Sequence, residues 1–173
     1  MLKLSDSELH WYVANTCRQE KKIKQRLDSM GIENFIPFQQ IARKIHGVDK
    51  LIEVPVIPNL VFIHTTFKSC MSLIQEYAFD MRYLRDRETG NFLIVPDKQM
   101  EDFKQIMDLN PDNISFDNEV LTVGSKVRVM KGNLCGVEGE LALEANKTYV
   151  IIRIEGVLTA SVKVAKSYLK VIS

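Results

Sequence analysis

With 173 residues, 46% of them hydrophobic and 26% charged, the chain has the composition of an ordinary globular protein and is long enough for one average domain or two small ones. No apolar run approaches the ~20 residues that a membrane helix needs, and no charged and then apolar leader begins the chain, which together predict a cytoplasmic protein. The net charge of +1 hides a partition, because residues 108–121 carry four acids and no base whereas residues 122–173 carry eight bases and four acids.

The cysteines and histidines are too scattered to form a site. Three cysteines without a C-x-x-C pair do not make a disulfide framework, and the histidines share no metal-ligand spacing with them. Nor is there a nucleotide-binding loop or a catalytic Ser/His/Asp or Cys/His arrangement. The sequence therefore predicts a protein that is not an enzyme and carries no cofactor or metal. The residues concerned are Cys17, Cys70, Cys135, His10, His46 and His64.

The first elements are a strand and an amphipathic helix. Residues 11–15 begin with aromatic and β-branched side chains, which is typical of a short strand. In residues 18–30 the apolar side chains recur at helical spacing on a charged background, and Gly31 stands where a C-cap glycine belongs. We predict a helix with one narrow buried stripe and a basic outer face, offset by few acids, of which Glu20 is one.

A β-hairpin is predicted after this helix. Residues 35–45 are largely extended in character, residues 46–50 form a turn-rich tip, and residues 51–53 lead back.

The hairpin leads into the most constrained backbone of the chain. Pro55 and Pro58 fix φ twice and remove two ladder donors, which predicts an irregular approach to a strand over residues 60–65. Leu60, Phe62 and His64 alternate in that strand with the apolar residues of the opposite face. Apolar side chains on both faces predict a sheet that is covered on both sides.

The remaining elements before the acidic piece are two helices and two short apolar runs. Residues 68–79 return to helical spacing, and residues 81–84 and 92–95 predict short strands or a hairpin. Pro96 then opens a helix whose buried stripe ends at Met107. The acidic piece that follows is rich in Asn and Asp and is broken by proline, so it is predicted to be an exposed, flexible linker.

The C-terminal part changes to closely spaced short strands. Turn residues separate them, and no long helix has room between them. Five short strands in about fifty residues predict a small barrel, because closure removes the free edges of a small sheet. The predicted strands cover residues 126–130, 137–142, 148–154, 158–164 and 168–172.

A glycine-rich loop near the start of this part resembles the KOW motif. A basic and apolar strand is followed by glycines spaced for a tight loop, where Gly132, Gly136 and Gly139 are expected to supply positive φ or close backbone approach. The motif residues are Lys126, Arg128, Gly132, Leu134, Gly136 and Gly139. Alone, this motif indicates a ribosomal protein, a translation factor or a transcription factor.

The first half of the chain resembles the N-terminal (NGN) domain of NusG proteins, with matching segments in the right order and spacing. Residues 94–100 are similar to the last strand-to-helix join of that domain. Together with the KOW match, the resemblance covers nearly the whole chain and identifies it as a member of the NusG family. The segments that carry it are Trp11-Tyr12-Val13, Glu20-Lys21-Lys22-Ile23, Gly31-Ile32, Phe35-Ile36-Pro37 and residues 54–63.

A local difference points to a subfamily. Pro58-Asn59-Leu60 stands where general NusG proteins usually carry Pro-Gly-Tyr. Asparagine there is more like the specialised RfaH-type paralogues, and the pattern with Glu20-Lys21-Lys22 looks most like the UpxY antiterminators of capsular polysaccharide operons.

The resemblance implies an α+β fold in two domains. Residues 8–107 would form an NGN-like domain with an antiparallel sheet and flanking helices, residues 108–121 the linker, and residues 122–173 an SH3-like KOW barrel. The implied function is that of a monomeric transcription elongation or antitermination factor that binds the clamp helices of RNA polymerase and suppresses pausing or termination.

Particular residues match the family's polymerase-binding depression. It is lined from the first strand and from the Pro-x-x strand, which here predicts an exposed apolar face made of Val13, Ile57, Pro58, Leu60 and Phe62. Burial of these residues in an ordinary core is the alternative.

The basic helix face is a candidate nucleic-acid site. Arg18, Lys21, Lys22 and Lys24 could approach non-template DNA or nascent RNA, because phosphate contacts need only cations on an accessible face. A solvated helix face is an equally good interpretation of the same residues.

The KOW barrel of the family recruits Rho or a ribosomal protein, often through an aromatic residue just before the glycine that is Gly156 here. This chain has Glu155 at that place, and a carboxylate would weaken an apolar contact. Gly156, Leu158 and Thr159 are the candidate partner surface.

Two other functions compete with operon-specific antitermination. One is a general NusG-like elongation factor, since the sequence shows no readable base contacts that would give operon specificity. The other is a ribosome-binding or RNA-binding KOW protein, since the C-terminal part with its charge of +4 could hold RNA by itself.

Overall fold

The computed structural model describes residues 7–109, 113–116 and 123–172. The chain divides into two compact units, Met1–Val95 and Pro96–Ser173. Helices and antiparallel strands are present, as the α+β prediction expects. In the described ranges no helix is long and apolar enough to cross a membrane.

The first unit is built on an antiparallel sheet with the strand order β2-β5-β1-β6, in which β7 also pairs with β1. Within the described residues of this unit, two helices accompany it. Its elements are β1 (Leu9–Asn15), α1 (Glu20–Ser29), β2 (Glu33–Phe35), β3 (Phe38–Ile45), β4 (Val48–Pro55), β5 (Leu60–Thr66), α2 (Phe67–Gln75), β6 (Arg82–Tyr83) and β7 (Ile94–Val95).

The first helix has the predicted stripe and a later start. Ile23 and Leu27 are buried, and Gly31 has a φ of +69° just beyond the helix end, as a C-cap glycine should. Cys17 and Arg18 both have positive φ (+52° and +63°), a conformation that a right-handed helix excludes. The helix therefore begins at Glu20 and not at residue 18.

Both faces of the central strands are buried, as the alternation predicts. Ala14, Val61 and Ile63 lie in one hydrophobic cluster with Leu27 of α1 and Leu73 of α2. On the opposite face, the side chains of Trp11, Val13 and Phe62 are also buried.

The predicted hairpin is present as a two-stranded sheet of its own, made of β3 and β4. Its two strands are joined through His46 and Gly47, whose φ values are +52° and +78°. Two successive positive φ angles are the geometry of a type I′ turn, which suits the right-handed twist of a hairpin.

In its described ranges, the second unit contains one long helix and a six-stranded sheet with the order β13-β9-β10-β11-β12-β8. All five predicted strands are present. The elements are α3 (Asp97–Met107), β8 (Ile114–Ser115), β9 (Val123–Val129), β10 (Glu138–Glu144), β11 (Lys147–Ile154), β12 (Leu158–Lys163), a 3-10 turn at Lys166–Tyr168 and β13 (Leu169–Val171).

The sheet of the second unit curls around one core. β13 returns across the 3-10 turn to pair with β9, and Val127, Val150 and Val162 of three different strands meet in a single cluster. This is the small barrel-like arrangement that the sequence predicts.

The short strand β8 lies inside the segment predicted as a linker. Ile114 pairs with Val162 and packs against the core, which gives this part of the segment a fixed place. Residues 110–112 and 117–121 of the same prediction lie outside the described residues.

Helix α3 belongs to the second compact unit, whereas the family resemblance predicts it at the end of the first domain. Ile106 is fully buried in the cluster of the curled sheet. The ranges 8–107, 108–121 and 122–173 stay predictions about domains, because a compact unit of contacts need not coincide with a domain.

Candidate functional site

The turn before β5 is held by a buried carboxylate. Asn59 has a φ of +67°, and its backbone N–H donates a hydrogen bond of 2.6 Å to Oε1 of Glu20. The carbonyl oxygen of Asn59 accepts from the N–H of Thr16 at 3.1 Å. Glu20 is only 7% exposed, so this helix-to-turn contact is shielded from water. Through this hydrogen bond, helix α1 therefore fixes the turn that contains Ile57 and Pro58.

Sequence reasoning missed this role of Glu20. The sequence pattern predicts this acid on the outer face of the helix, whereas the structure turns it inward towards a residue 39 positions away. The residue that could have indicated this contact is Asn59. Asparagine tolerates the left-handed conformation, and the backbone N–H of a residue in such a turn needs a hydrogen-bond acceptor.

The predicted polymerase-binding residues fall into two groups. Ile57 and Leu60 are half-buried and Pro58 is exposed, so this apolar stretch, interrupted only by Asn59, is at least partly accessible at the start of β5. Val13 and Phe62 are 0% and 1% exposed, so the expectation that they belong to an exposed face is wrong.

Strand position explains the burial of this second group. Val13 and Phe62 are directly paired in the middle of the two central strands, and the Phe35 ring lies 6.4 Å from the Phe62 ring. Alternation assigns a residue to a face of the sheet, but it does not say how much of that face is open.

A stacked pair lies further along the same face. The rings of Trp11 and His64 are 4.7 Å apart and nearly parallel. Nδ1 of His64 also lies 2.8 Å from Oε2 of Glu33 in the neighbouring strand β2. The scattered histidines of the sequence gave no sign of this cluster, because strand pairing alone brings its members together.

The four candidate nucleic-acid residues do not act as one set. Arg18, Lys21 and Lys22 are exposed, and Arg18 precedes the helix. Nζ of Lys24 lies 3.1 Å from Oδ1 of Asn34 and 3.5 Å from Asp28, so this lysine is occupied within the protein.

The KOW glycines have the geometry that the sequence predicts. Gly132 and Gly136 have φ values of +82° and +94° in the loop between β9 and β10. A Cβ atom on Gly139 would collide with the backbone of Ile151 in the paired strand. Glycine is therefore needed here for the two strands to approach each other closely.

The other KOW motif residues are partly structural. Leu134 is buried in the core, and Arg128 forms a 2.6 Å ion pair with Glu138 directly across the ladder. The guanidinium of Arg128 holds the pKa of the Glu138 carboxyl below its usual range. Lys126 is exposed.

The candidate partner surface of the second unit surrounds the turn between β11 and β12. Gly156 has a φ of +76° there, Leu158 and Thr159 are half-buried, and Glu155 is exposed. Residues 153–159 line an open cavity of about 270 Å³. Any partner entering this cavity meets the carboxylate of Glu155 beside the glycine.

A polar cluster ties α3 to the curled sheet. Oδ2 of the buried Asp102 accepts the backbone N–H of Glu138 at 3.3 Å, and Oδ1 accepts Nζ of Lys98 at 2.6 Å. Lys98 also donates to the carbonyl oxygen of Gly136 at 2.8 Å. Burial raises the pKa of Asp102 against the opposing effect of Lys98.

Within the ranges that the structure describes, no three His, Cys, Asp or Glu side chains are grouped as metal ligands would be.

Comparison with known proteins gives a match in the first unit and α3. Residues 9–104, more than half of the chain, match the family model described as "Transcription termination factor nusG". A search of curated proteins found no match. A solved structure described as "Domain interaction in Thermotoga maritima NusG" is similar at 16% sequence identity and a TM-score of 0.49, over 96% of this chain and 98% of that one.

Proposed function

The chain belongs to the NusG family of transcription factors, and we propose that it is an operon-specific elongation factor that binds RNA polymerase and suppresses pausing or termination, as at capsular polysaccharide operons. The family match over residues 9–104 carries the proposal, because this range includes the Glu20-held turn and the sheet behind it.

The proposed contact with the clamp helices of the polymerase is the stretch made of Ile57, Pro58 and Leu60. These side chains are apolar and at least partly accessible, so docking removes apolar surface from water at roughly 25 cal/mol per Å². The Glu20 contact fixes the turn before binding, which reduces the ordering cost of association. Val13 and Phe62 support this surface from within the sheet and do not touch the partner.

The proposed effect on elongation is a population shift. A factor that binds the elongating state of the polymerase more tightly than the paused state favours elongation by that difference in affinity. Each 1.4 kcal/mol of difference changes the ratio of the two states about tenfold. The mechanism needs binding only, and no covalent step.

The exposed cations Arg18, Lys21 and Lys22 are the proposed contacts to non-template DNA or nascent RNA. They lie just before α1 and in its first turn, next to the segment held by Glu20. Such contacts add affinity without reading sequence.

Asn59 supports the specialised subfamily. Its left-handed backbone is one that glycine and asparagine both adopt, so the Gly-to-Asn difference leaves the turn intact and adds a side chain beside the proposed polymerase contact. In the second unit, Glu155 disfavours an apolar contact with Rho or a ribosomal protein at Gly156, which fits a factor with a restricted role.

Transcription in vitro on two templates tests the proposal. One template carries the leader of a capsular polysaccharide operon, and the other carries an unrelated leader with a known pause. We expect the full-length protein to shorten pauses on the first template and to have little effect on the second. Equal shortening on both templates would instead indicate a general elongation factor, and no effect on either would favour an RNA-binding or ribosome-binding role.

A further inference from the structure

A cavity of the second unit lies between the KOW loop and the 3-10 turn, and we call it the Tyr168 cavity. Its volume is about 360 Å³, which falls in the range of about 300–1,000 Å³ that is usual for ligand sites. Buried core side chains form part of its lining, among them Val129, Val162 and Val164. An apolar part of a ligand that enters this cavity is therefore removed from water.

One wall of the cavity is an accessible aromatic ring. Tyr168 is 39% exposed, although its backbone is fixed by two hydrogen bonds, from the Met130 N–H to its carbonyl oxygen at 2.7 Å and from its own N–H to the Ala165 carbonyl oxygen at 2.9 Å. The ring lies over Gly132, where a Cβ atom would come within 3.3 Å of ring carbon Cε2. Accessible rings on a fixed backbone are the surfaces on which unpaired bases stack.

The charges around the Tyr168 cavity favour an anionic ligand. Lys131 and Lys163 line it, and among the described residues no Asp or Glu does. Two other cavities of the second unit differ, because the one at residues 153–159 includes Glu155 and another beside α3 is lined by four carboxylates. Two lysines alone need no partner, but here they line an apolar cavity with an aromatic wall. This combination fits a base together with its phosphates.

A base can enter the cavity only if it is unpaired. In a duplex the faces of the bases are stacked on each other, so they cannot reach Tyr168 unless a base is flipped out. Asn113 and Asn133 also line the cavity, and their side-chain amides both donate and accept hydrogen bonds. The ribose 2′-hydroxyl does the same, whereas deoxyribose lacks this group. These residues therefore favour single-stranded RNA.

We propose that the Tyr168 cavity binds one nucleotide of single-stranded RNA. The base stacks on the Tyr168 ring against the apolar lining, and Lys131 and Lys163 contact the phosphates on either side. The site shares no residue with the candidate partner surface around Gly156 or with the cations around α1. It gives the second unit a ligand of its own, beyond the proposed contact of the first unit with the polymerase.

Binding of the full-length protein to a labelled, unstructured RNA of about 12 nucleotides, without polymerase, tests this site. Tyr168→Leu removes the ring, and Tyr168→Phe is its matched control because it loses only the hydroxyl group. Lys131→Gln with Lys163→Gln removes the two cations. Lys126→Gln with Lys147→Gln makes the same change in net charge at exposed lysines outside the cavity. Circular dichroism and thermal melting establish that the variants are folded.

The two pairs of variants have separate expected results. Tyr168→Leu should weaken binding about fivefold or more, as expected for the loss of one base–aromatic stack, and Tyr168→Phe should bind like the wild type. Loss of the two lysines of the cavity should reduce the slope of log affinity against log salt by roughly 1.4, whereas the lysine control should change it far less. In NMR spectra of the wild type, the RNA should shift the amide signals of Gly132 and Lys163.

The inference is overturned if the wild-type protein does not bind the RNA, or if Tyr168→Leu binds it as tightly as Tyr168→Phe. It is also overturned if a DNA strand of the same sequence, the RNA duplex or a free nucleoside monophosphate binds as tightly as the single-stranded RNA, because each result would identify a different ligand. No polymerase is present, so failure of this test leaves the proposed elongation function untouched. Absence of an effect on pausing would likewise leave this binding test valid.

Discussion

Each compact unit uses a buried carboxylate to tie a helix to a backbone N–H, and the two contacts are built differently. Glu20 accepts the N–H of Asn59 at 2.6 Å and forms no ion pair within the described ranges. Asp102, 4% exposed, accepts the N–H of Glu138 at a longer 3.3 Å and also pairs with Lys98. The first contact fixes a turn at the proposed binding surface, whereas the second attaches a whole helix to a sheet. Removal of the two acids should therefore have unequal effects.

The largest effect is expected for Glu20→Leu. A hydrogen bond to a charged group contributes about 1.5–3 kcal/mol, and the partly buried N–H of Asn59 would be left without this acceptor. We expect a loss of about 2 kcal/mol in the free energy of unfolding and a large increase in hydrogen exchange at the Asn59 amide.

Glu20→Gln is the control, because its amide oxygen can still accept that hydrogen bond. It should lose less than half as much stability and keep most of the protection of Asn59. An unchanged exchange rate at Asn59 in Glu20→Leu would show that the contact does not hold the turn.

A smaller effect is expected for Asp102→Leu. Asp102→Leu also removes the acceptor of the Glu138 N–H, but that hydrogen bond is long at 3.3 Å, and the raised pKa of Asp102 indicates that removal of the buried carboxyl relieves a desolvation cost. Lys98 is half exposed and remains solvated without its partner. We expect a loss of about 1 kcal/mol or less in denaturant unfolding. A loss larger than that of Glu20→Leu would reverse the comparison between the units.

The pH dependence of stability in Asp102→Asn separates the two buried carboxylates further. Because the folded pKa of Asp102 lies above its usual value of 3.8, the folded protein holds a proton that the unfolded chain releases. This carboxyl therefore contributes stability below pH 3.8 that is lost as the pH rises through the folded pKa. The difference in unfolding free energy between the variant and the wild type should shift in favour of the variant as the pH rises from 3.8. Glu138 titrates in both proteins, so its direct contribution cancels, and a shift of opposite sign would contradict the assignment.

The smallest effect is expected for Asn59→Gly. Glycine adopts a φ of +67° without strain, and the substitution removes a buried side-chain oxygen that has no hydrogen-bond partner in the described part of the chain. The free energy of unfolding should change by no more than about 0.5 kcal/mol. Asn59→Ala is the matched comparison and should lose about 1 kcal/mol, because alanine is strained in the left-handed region. Equal stability of the two variants would mean that the turn relaxes.

Local patterns were enough to predict most of the fold. The spacing of Ile23 and Leu27, the prolines before β5 and the glycines of the KOW loop each constrain the backbone within a few residues, and the corresponding elements are present. Strand β8 was missed because Ile114 gains its place only by pairing with Val162, far along the chain.

The candidate surface was less predictable because it also depends on contacts between residues that are far apart in the sequence. A glutamate at the start of an amphipathic helix has the pattern of a solvated side chain, and only the position of Asn59 makes its burial favourable. The periodicity of the strands predicts on which face of the sheet Val13 and Phe62 lie. It does not predict how deeply they are buried, because burial depends on the strands paired on either side.

Binding of the full-length protein to core RNA polymerase tests the proposed polymerase-binding surface most directly, with Ile57→Glu and Leu60→Glu compared against Leu143→Glu. Leu143 is an exposed leucine of the second unit, so its substitution makes a comparable apolar-to-acid change away from the proposed surface. We predict that the first two variants lose binding at least tenfold while remaining folded, and that Leu143→Glu binds like the wild type. Wild-type binding by Ile57→Glu and Leu60→Glu would contradict the claim that the turn held by Glu20 is the polymerase-binding surface.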